Sequence, residues 1–109
     1  MENCVIYIRM STEKQDNSVE SQKQVLKNFA EVNNYKIIKE YIDEGISGRS
    51  VKNRSAFLQM IEDSYTNMFT TILIFDTSRF ARNLEEFIVY KSELKRNNVK
   101  LLSVTEPIN

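Results

Sequence analysis

Arg9 and Ser11 stand two residues apart at the end of an apolar run, Cys4-Val5-Ile6-Tyr7-Ile8. If extended backbone persists to that point, both side chains leave on one side, with Tyr7 in register behind them. A hydroxyl is thereby held beside a cation. Arg79 and Arg82 are three apart, a spacing that puts both on one side of a helical turn. Arg54 closes a stretch that begins at Asp43 and contains both glycines of the chain. The chain has only six arginines, and Arg9, Arg54, Arg79 and Arg82 fall in three polar segments that follow apolar runs. Guanidinium presents a planar fork for bidentate contact with phosphate or carboxylate, whereas the nine lysines, Lys52 apart, are scattered along helical and extended patterns. The pattern suits a phosphate.

A serine hydroxyl is a weak nucleophile, and the chain contains no His to activate it. It then needs another means of activation or a strongly stabilised transition state, and several arginines could supply the latter. Attack on a phosphodiester adds about one negative charge, and preorganised donors aimed at such a charge contribute ~3–4 kcal/mol each, not additively. The absence of His also removes Cys/His nucleophile pairs, the usual catalytic zinc sites and any His-centred pH switch. Cys4 is the single cysteine, so there is neither a disulfide framework nor a clustered-thiolate site.

These residues must be positioned by a scaffold of alternating elements. The Cys4–Ile8 run reads as a buried first strand ending at Arg9-Met10-Ser11-Thr12. A helix pattern follows, with Asn17 as cap, Glu20 completing a capping box, Val19, Gln22, Val25, Leu26, Phe29 and Val32 at helical spacing, and Asn33-Asn34 as the stop. Tyr35 to Ile42 is a second strand whose mixed polarity suits an edge. Asp43 to about Arg54 is a loop. Ser55 is expected to cap a helix running to about Tyr65, with Phe57, Met60, Ile61 and Ser64 inside. Thr71 to Phe75 is the most uniformly apolar segment and should be the central strand, covered on both faces. Asp76 to Arg82 reads as loop. Asn83 with Glu86 opens a last helix with Leu84, Phe87, Ile88 and Leu94 expected on its inner side, and Val99 to Val104 is a fourth strand.

Such alternation argues for a parallel sheet covered by helices. Ligands of open parallel sheets bind beyond the carboxyl ends of the strands. Arg9, Ser11, Asp43, Arg79 and Arg82 all gather at that edge.

At 109 residues, 41% hydrophobic and 28% charged, the chain is one domain with enough apolar material for a single core. Its 15 basic and 15 acidic side chains cancel, so any attraction to nucleic acid must be local. No apolar stretch approaches the ~20 residues that cross a bilayer, and Met1-Glu2-Asn3 lacks the basic start of a signal peptide. With a lone cysteine, a reducing, cytoplasmic setting is expected.

Taken together, Tyr7-Ile8-Arg9-Met10-Ser11-Thr12, Ser18-Val19-Glu20-Ser21-Gln22, Tyr41-Ile42-Asp43-Glu44-Gly45-Ile46-Ser47-Gly48 and Arg79-Phe80-Ala81-Arg82-Asn83 resemble the serine recombinases, the resolvase and invertase group. The long-chain integrase and transposase members are the nearest in pattern. Each motif alone is weak, but their order along essentially the whole chain is specific. The resemblance implies a three-layer α/β/α resolvase-like fold with strand order 2-1-3-4. It implies that Ser11 attacks a DNA phosphodiester to give a 5′-phosphoserine link and a free 3′-hydroxyl. Arg9, Arg79 and Arg82 would hold the scissile phosphate. Arg54 occupies the family's further arginine position, Gln22 its active-site glutamine and Asp43 the acidic residue before the glycine loop. No metal or nucleotide cofactor is implied. The implied partners are a double-stranded DNA recombination site and further copies of the protein, as dimer and tetramer, without a membrane.

Residues 1–109 are expected to be the catalytic domain alone. Thr105-Glu106-Pro107-Ile108 resembles the stretch that precedes the family's long dimerising helix, so this piece is expected to be silent in isolation. One departure concerns Ser78, which stands where the family often has Asp before the arginine pair; Asp76, two residues earlier, is the alternative carboxylate. Two other readings share the architecture. A phospho-acceptor receiver domain would use Asp76 but needs acids after the first strand, where Arg9 and Ser11 stand. A non-catalytic assembly domain would not require the arginine set.

Overall fold

A computed structural model of the chain describes residues 1–10, 18–44 and 54–106. Ser11, Asn17, the glycine-containing segment from Gly45 to Asn53 and the last three residues lie outside the described residues.

Four parallel strands form one sheet in the order β2-β1-β3-β4: β1 (Glu2–Met10), β2 (Tyr35–Glu44), β3 (Thr71–Ile74) and β4 (Lys100–Ser103). This is the expected order, with β2 at an edge. Helices α1 (Val19–Val32), α2 (Ser55–Asp63) and α4 (Leu84–Arg96) alternate with the strands, and a single turn, α3 (Thr77–Phe80), follows β3.

The strand period of two sorts β1 between two cores. Cys4, Ile6 and Ile8 pack with Leu73, Leu26 and Ala30 under α1. Val5 and Tyr7 join Ile72, Ile74, Phe57, Met60 and Leu94 under α2 and α4. Residues Cys4 to Ile8 are all fully buried, which explains why their sequence shows no apolar/polar alternation: both faces are covered. The second core centres on Phe57, whose ring meets those of Tyr7, Phe80 and Tyr90 edge-on at centroid distances of 5.5, 5.2 and 5.0 Å. Edge-to-face pairs of this kind contribute about 0.5–1.5 kcal/mol beyond area burial.

One irregularity governs the site. Cys4 pairs with Ile37, but Val5 pairs with Lys39, so β2 carries one extra residue at Ile38. An extra residue reverses the inside/outside parity of everything after it. Ile37 therefore packs under α1, while Tyr41 faces the opposite core with Tyr7, and Asp43 comes level with Arg9.

Several local expectations are corrected. The cap of α1 is Ser18, whose Oγ accepts the Ser21 N–H at 3.1 Å. Ser55 is the first residue of α2 rather than its cap. The segment after β3 forms the turn α3 instead of plain loop. Asn83 does cap α4, accepting the Glu86 N–H at 2.9 Å. The inner face of α4, however, is Phe87, Tyr90 and Leu94, and Leu84 and Ile88 are exposed, by 70% and 54%. Residues advance about 100° per step on a helix, so Ile88 turns away once Phe87 is seated.

Candidate active site

The carboxyl ends of β1 and β3 are neighbours in the sheet, and the side chain of Arg9 joins them. Its Nη2 donates to the Ser78 carbonyl at 2.8 Å. Ser78 lies in α3, which begins as soon as β3 ends. Asp76 is the N-cap, and its Oδ1 accepts from the Ser78 hydroxyl at 2.5 Å and stands 3.7 Å from Nε of Arg79. Asp76 is thus the carboxylate beside the arginine, with Ser78 filling the adjoining position as a hydrogen-bond donor. Arg79 is only 5% exposed, and a charge so placed requires such compensation. The turn is tied from outside as well: Glu106 Oε1 accepts the Thr77 N–H at 2.6 Å, and the hydroxyls of Ser103 and Thr105 donate to the Phe75 carbonyl.

A four-residue helix leaves most of its backbone groups without intrahelical partners. Past Phe80 the chain is extended, with Ala81 at φ −138° and ψ 149°, so the last carbonyls of α3 need donors from elsewhere. Arg54 supplies them. Its Nη2 donates to the carbonyls of Arg79 at 3.2 Å and Phe80 at 2.5 Å. Its Nη1 lies 3.5 Å from Glu86, and its guanidinium carbon sits 4.1 Å from the centroid of the Phe57 ring. At 1% exposure Arg54 is among the most deeply placed side chains.

Nε of Arg54 donates to the Tyr7 hydroxyl at 3.3 Å, which donates to Asp43 Oδ2 at 2.8 Å. Asp43 also accepts the N–H groups of Ala56 and Phe57, both at 3.0 Å. Those are donors in the first turn of α2, whose N-cap residue, Arg54, offers no side-chain acceptor. A carboxylate from β2 therefore caps α2 across space, which is why Ser55 is not needed for the task. Burial, partly opposed by the Arg54 charge and reinforced by Asp43, pushes the Tyr7 phenol far above its ordinary range. Tyr7 stays protonated and acts as a donor.

Gln22 is fully buried on α1, and its Nε2 donates to the Arg9 carbonyl at 3.4 Å. Arg82 differs from the rest. The expectation that it shares one side of a helical turn with Arg79 fails, because α3 ends at Phe80 and Ala81 is extended. Arg79 is directed inward, and Arg82 is exposed beside a hollow of about 350 Å³ that also touches Ser78 and Asn83. The Arg82 N–H donates to Glu86 Oε1 at 3.0 Å, and its Nε lies 3.9 Å from Glu86 Oε2. A larger hollow of about 490 Å³ lies where the strands begin, among Glu2, Thr70 and Lys100, away from the arginines.

Every predicted site residue among those described, Arg9, Gln22, Asp43, Arg54, Arg79 and Arg82, is thus joined to this one network at the carboxyl ends of β1, β2 and β3. The phospho-acceptor alternative loses ground here, since Asp76 serves Ser78 and Arg79. The sequence marks Glu86 only as a partner of the Asn83 cap. Its spacing of four from Arg82 was the available signal for a second role.

The same fold recurs in solved structures. The N-terminal catalytic domain of TP901-1 integrase superposes with a TM-score of 0.87, at 27% identity over 98% of this chain and 80% of that one. A resolvase family site-specific recombinase from Streptococcus pneumoniae does so with a TM-score of 0.86, at 35% identity over 99% and 75% of the two chains. A Bacillus subtilis (strain 168) protein described as a "Putative DNA recombinase" is 30% identical over 102 residues, 91% of this chain. This chain spans about 20% of that relative's length. The family model for the resolvase N-terminal domain matches residues 4–109. The chain belongs to the resolvase N-terminal domain family of serine recombinases.

Proposed function

We propose that this domain carries out the cleavage and rejoining steps of site-specific DNA recombination, with Ser11 as nucleophile. The Ser11 oxygen attacks the phosphorus of a DNA phosphodiester and loses its proton. The bond from phosphorus to the 3′-oxygen breaks, and that oxygen takes up a proton. A 5′-phosphoserine link and a free 3′-hydroxyl result. Rejoining is the reverse transfer to another 3′-hydroxyl. The ester keeps the bond energy, so the two transfers balance without an external energy source.

The observation that carries this reading is the hydrogen bond from Arg9 to the Ser78 carbonyl. It draws Arg9, at the end of β1, onto the turn bearing Arg79, so these two arginines share one edge of the sheet, and Ser11 follows Arg9 by two residues in the sequence. In this reading Arg9, Arg79 and Arg82 act on the phosphate. Arg54, Asp43 and Gln22 act through other groups: Arg54 holds the α3 carbonyls, Asp43 holds the start of α2, and Gln22 holds the Arg9 backbone. The substrate is a double-stranded recombination site, and the acting form is an assembly of several copies.

The test uses the full chain that carries this domain together with its cognate DNA site. Covalent protein–DNA adduct is expected, mapped to Ser11 by peptide mass spectrometry and absent from Ser11→Ala. An adduct that persists in Ser11→Ala would refute the assignment.

A further inference from the structure

The segment from Arg79 to Arg82 carries both distal arginines, yet its helical ladder ends with the Ala81 N–H, which donates to the Thr77 carbonyl. Its first two carbonyls are gripped by Arg54. Its last N–H, that of Arg82, is gripped by Glu86 Oε1 at 3.0 Å. The two grips are coupled, because the same Oε1 lies 3.5 Å from Nη1 of Arg54. Glu86 Oε2 lies 3.9 Å from the Arg82 guanidinium. The Glu86 side chain is 11% exposed while that of Arg82 is 49% exposed, so one end of the pair is fixed in the protein and the other reaches solvent. The position of Glu86 is in turn set by its own N–H, donated to the cap residue Asn83.

We infer that Glu86 is a positioning residue for the phosphate-contacting arginines. It locks the backbone of the 79–82 segment to buried Arg54 and steers the exposed Arg82 guanidinium. This deepens the recombinase reading and rests on it. An i,i+4 pair with a half-exposed arginine would by itself matter little. The backbone hydrogen bond and the contact with a buried guanidinium give Glu86 its leverage, since misplacing a catalytic group by about 1 Å can cost on the order of 100-fold in rate.

Glu86→Gln keeps an acceptor for the Arg82 N–H and loses the charge; Glu86→Ala loses both. Two readouts are taken below the melting temperature of each variant. The first is hydrogen exchange at the Arg82 amide, which needs no activity. The second is the single-turnover rate of adduct formation on cognate DNA, with DNA affinity measured alongside. Glu86→Ala is expected to expose the Arg82 amide and slow adduct formation by about 100-fold, with DNA affinity changed less than about threefold. Glu86→Gln is expected to retain amide protection and slow adduct formation by about 10-fold. Wild-type rates in Glu86→Gln, or an Arg82 amide still protected in Glu86→Ala, would overturn the inference. Should Glu86→Ala not fold, the Glu86→Gln rate decides. If wild-type protein forms no Ser11 adduct, the recombinase reading fails, and the amide readout still judges the grip on Arg82.

Discussion

Replacing Asp43 separates its structural role from a chemical one. Among the described residues its carboxylate accepts three hydrogen bonds, from the Tyr7 hydroxyl and the N–H groups of Ala56 and Phe57. Asp43→Ala removes the cap of α2, a loss of about 0.5–2 kcal/mol. It also leaves the Tyr7 hydroxyl without its acceptor in a buried site, a further ~1–3 kcal/mol. The sum, about 2–5 kcal/mol, is a large share of the ~5–15 kcal/mol by which domains are stable. For a domain of this size each kcal/mol lowers the melting temperature by about 4–8 °C, so a drop of roughly 8–40 °C is expected. Asp43→Asn retains one oxygen and should fall between. Circular dichroism melts of the chain at neutral pH give the drop, and hydrogen exchange at the Ala56 and Phe57 amides assigns it to the start of α2. An Asp43→Ala variant that melts like wild type, with both amides still protected, would refute this account and return Asp43 to the chemistry.

Arg82→Lys should leave the melting temperature nearly unchanged, as exposed substitutions usually shift stability by less than about 0.5 kcal/mol, yet slow single-turnover cleavage on the order of 100-fold because the fork geometry is lost. Wild-type cleavage in that variant would show that Arg82 does not grip phosphate. Arg79→Lys should impair cleavage and stability together, since the buried guanidinium beside Asp76 is replaced by a strongly hydrated ammonium; an unaltered melt would argue against its buried placement. Burial, with a smaller contribution from Glu2, pushes the Cys4 thiol from 9.0 up to about 11. The folded state then keeps the proton that the unfolded chain releases, and stability falls as pH rises from about 9 toward about 11. Denaturant titrations across that window should give a steeper decline for wild type than for Cys4→Ala, and equal slopes would contradict the burial argument.

The amino-acid sequence determined the alternation of strands and helices, the edge position of β2 and the gathering of arginines where strands end. These follow from local rules: apolar runs bounded by polar breaks, Asn at helix ends, and the geometry of parallel sheets. Among the described residues, the left-handed Asn34, Asn67 and Asn98 obey the same local logic, since Asn tolerates that conformation. Tertiary structure alone decided what depends on partners distant in sequence. The extra residue in β2 appears only once β2 pairs with β1, and it is this parity change that brings Asp43 level with Arg9, on the side where it meets Tyr7. The inner face of α4 is not legible in the sequence because Leu84 and Ile88 fit a helical stripe as well as Tyr90 does, and only the seating of Phe87 and Leu94 on the sheet selects one stripe. Arg54 and Glu86 likewise acquire their roles from carbonyls and amides that α3, ending after one turn, leaves for other side chains to satisfy. A linear pattern can state which groups a site contains; which of them touch a ligand and which hold their neighbours in place is set by burial and by unpaired backbone, and both arise only when the chain has closed on itself.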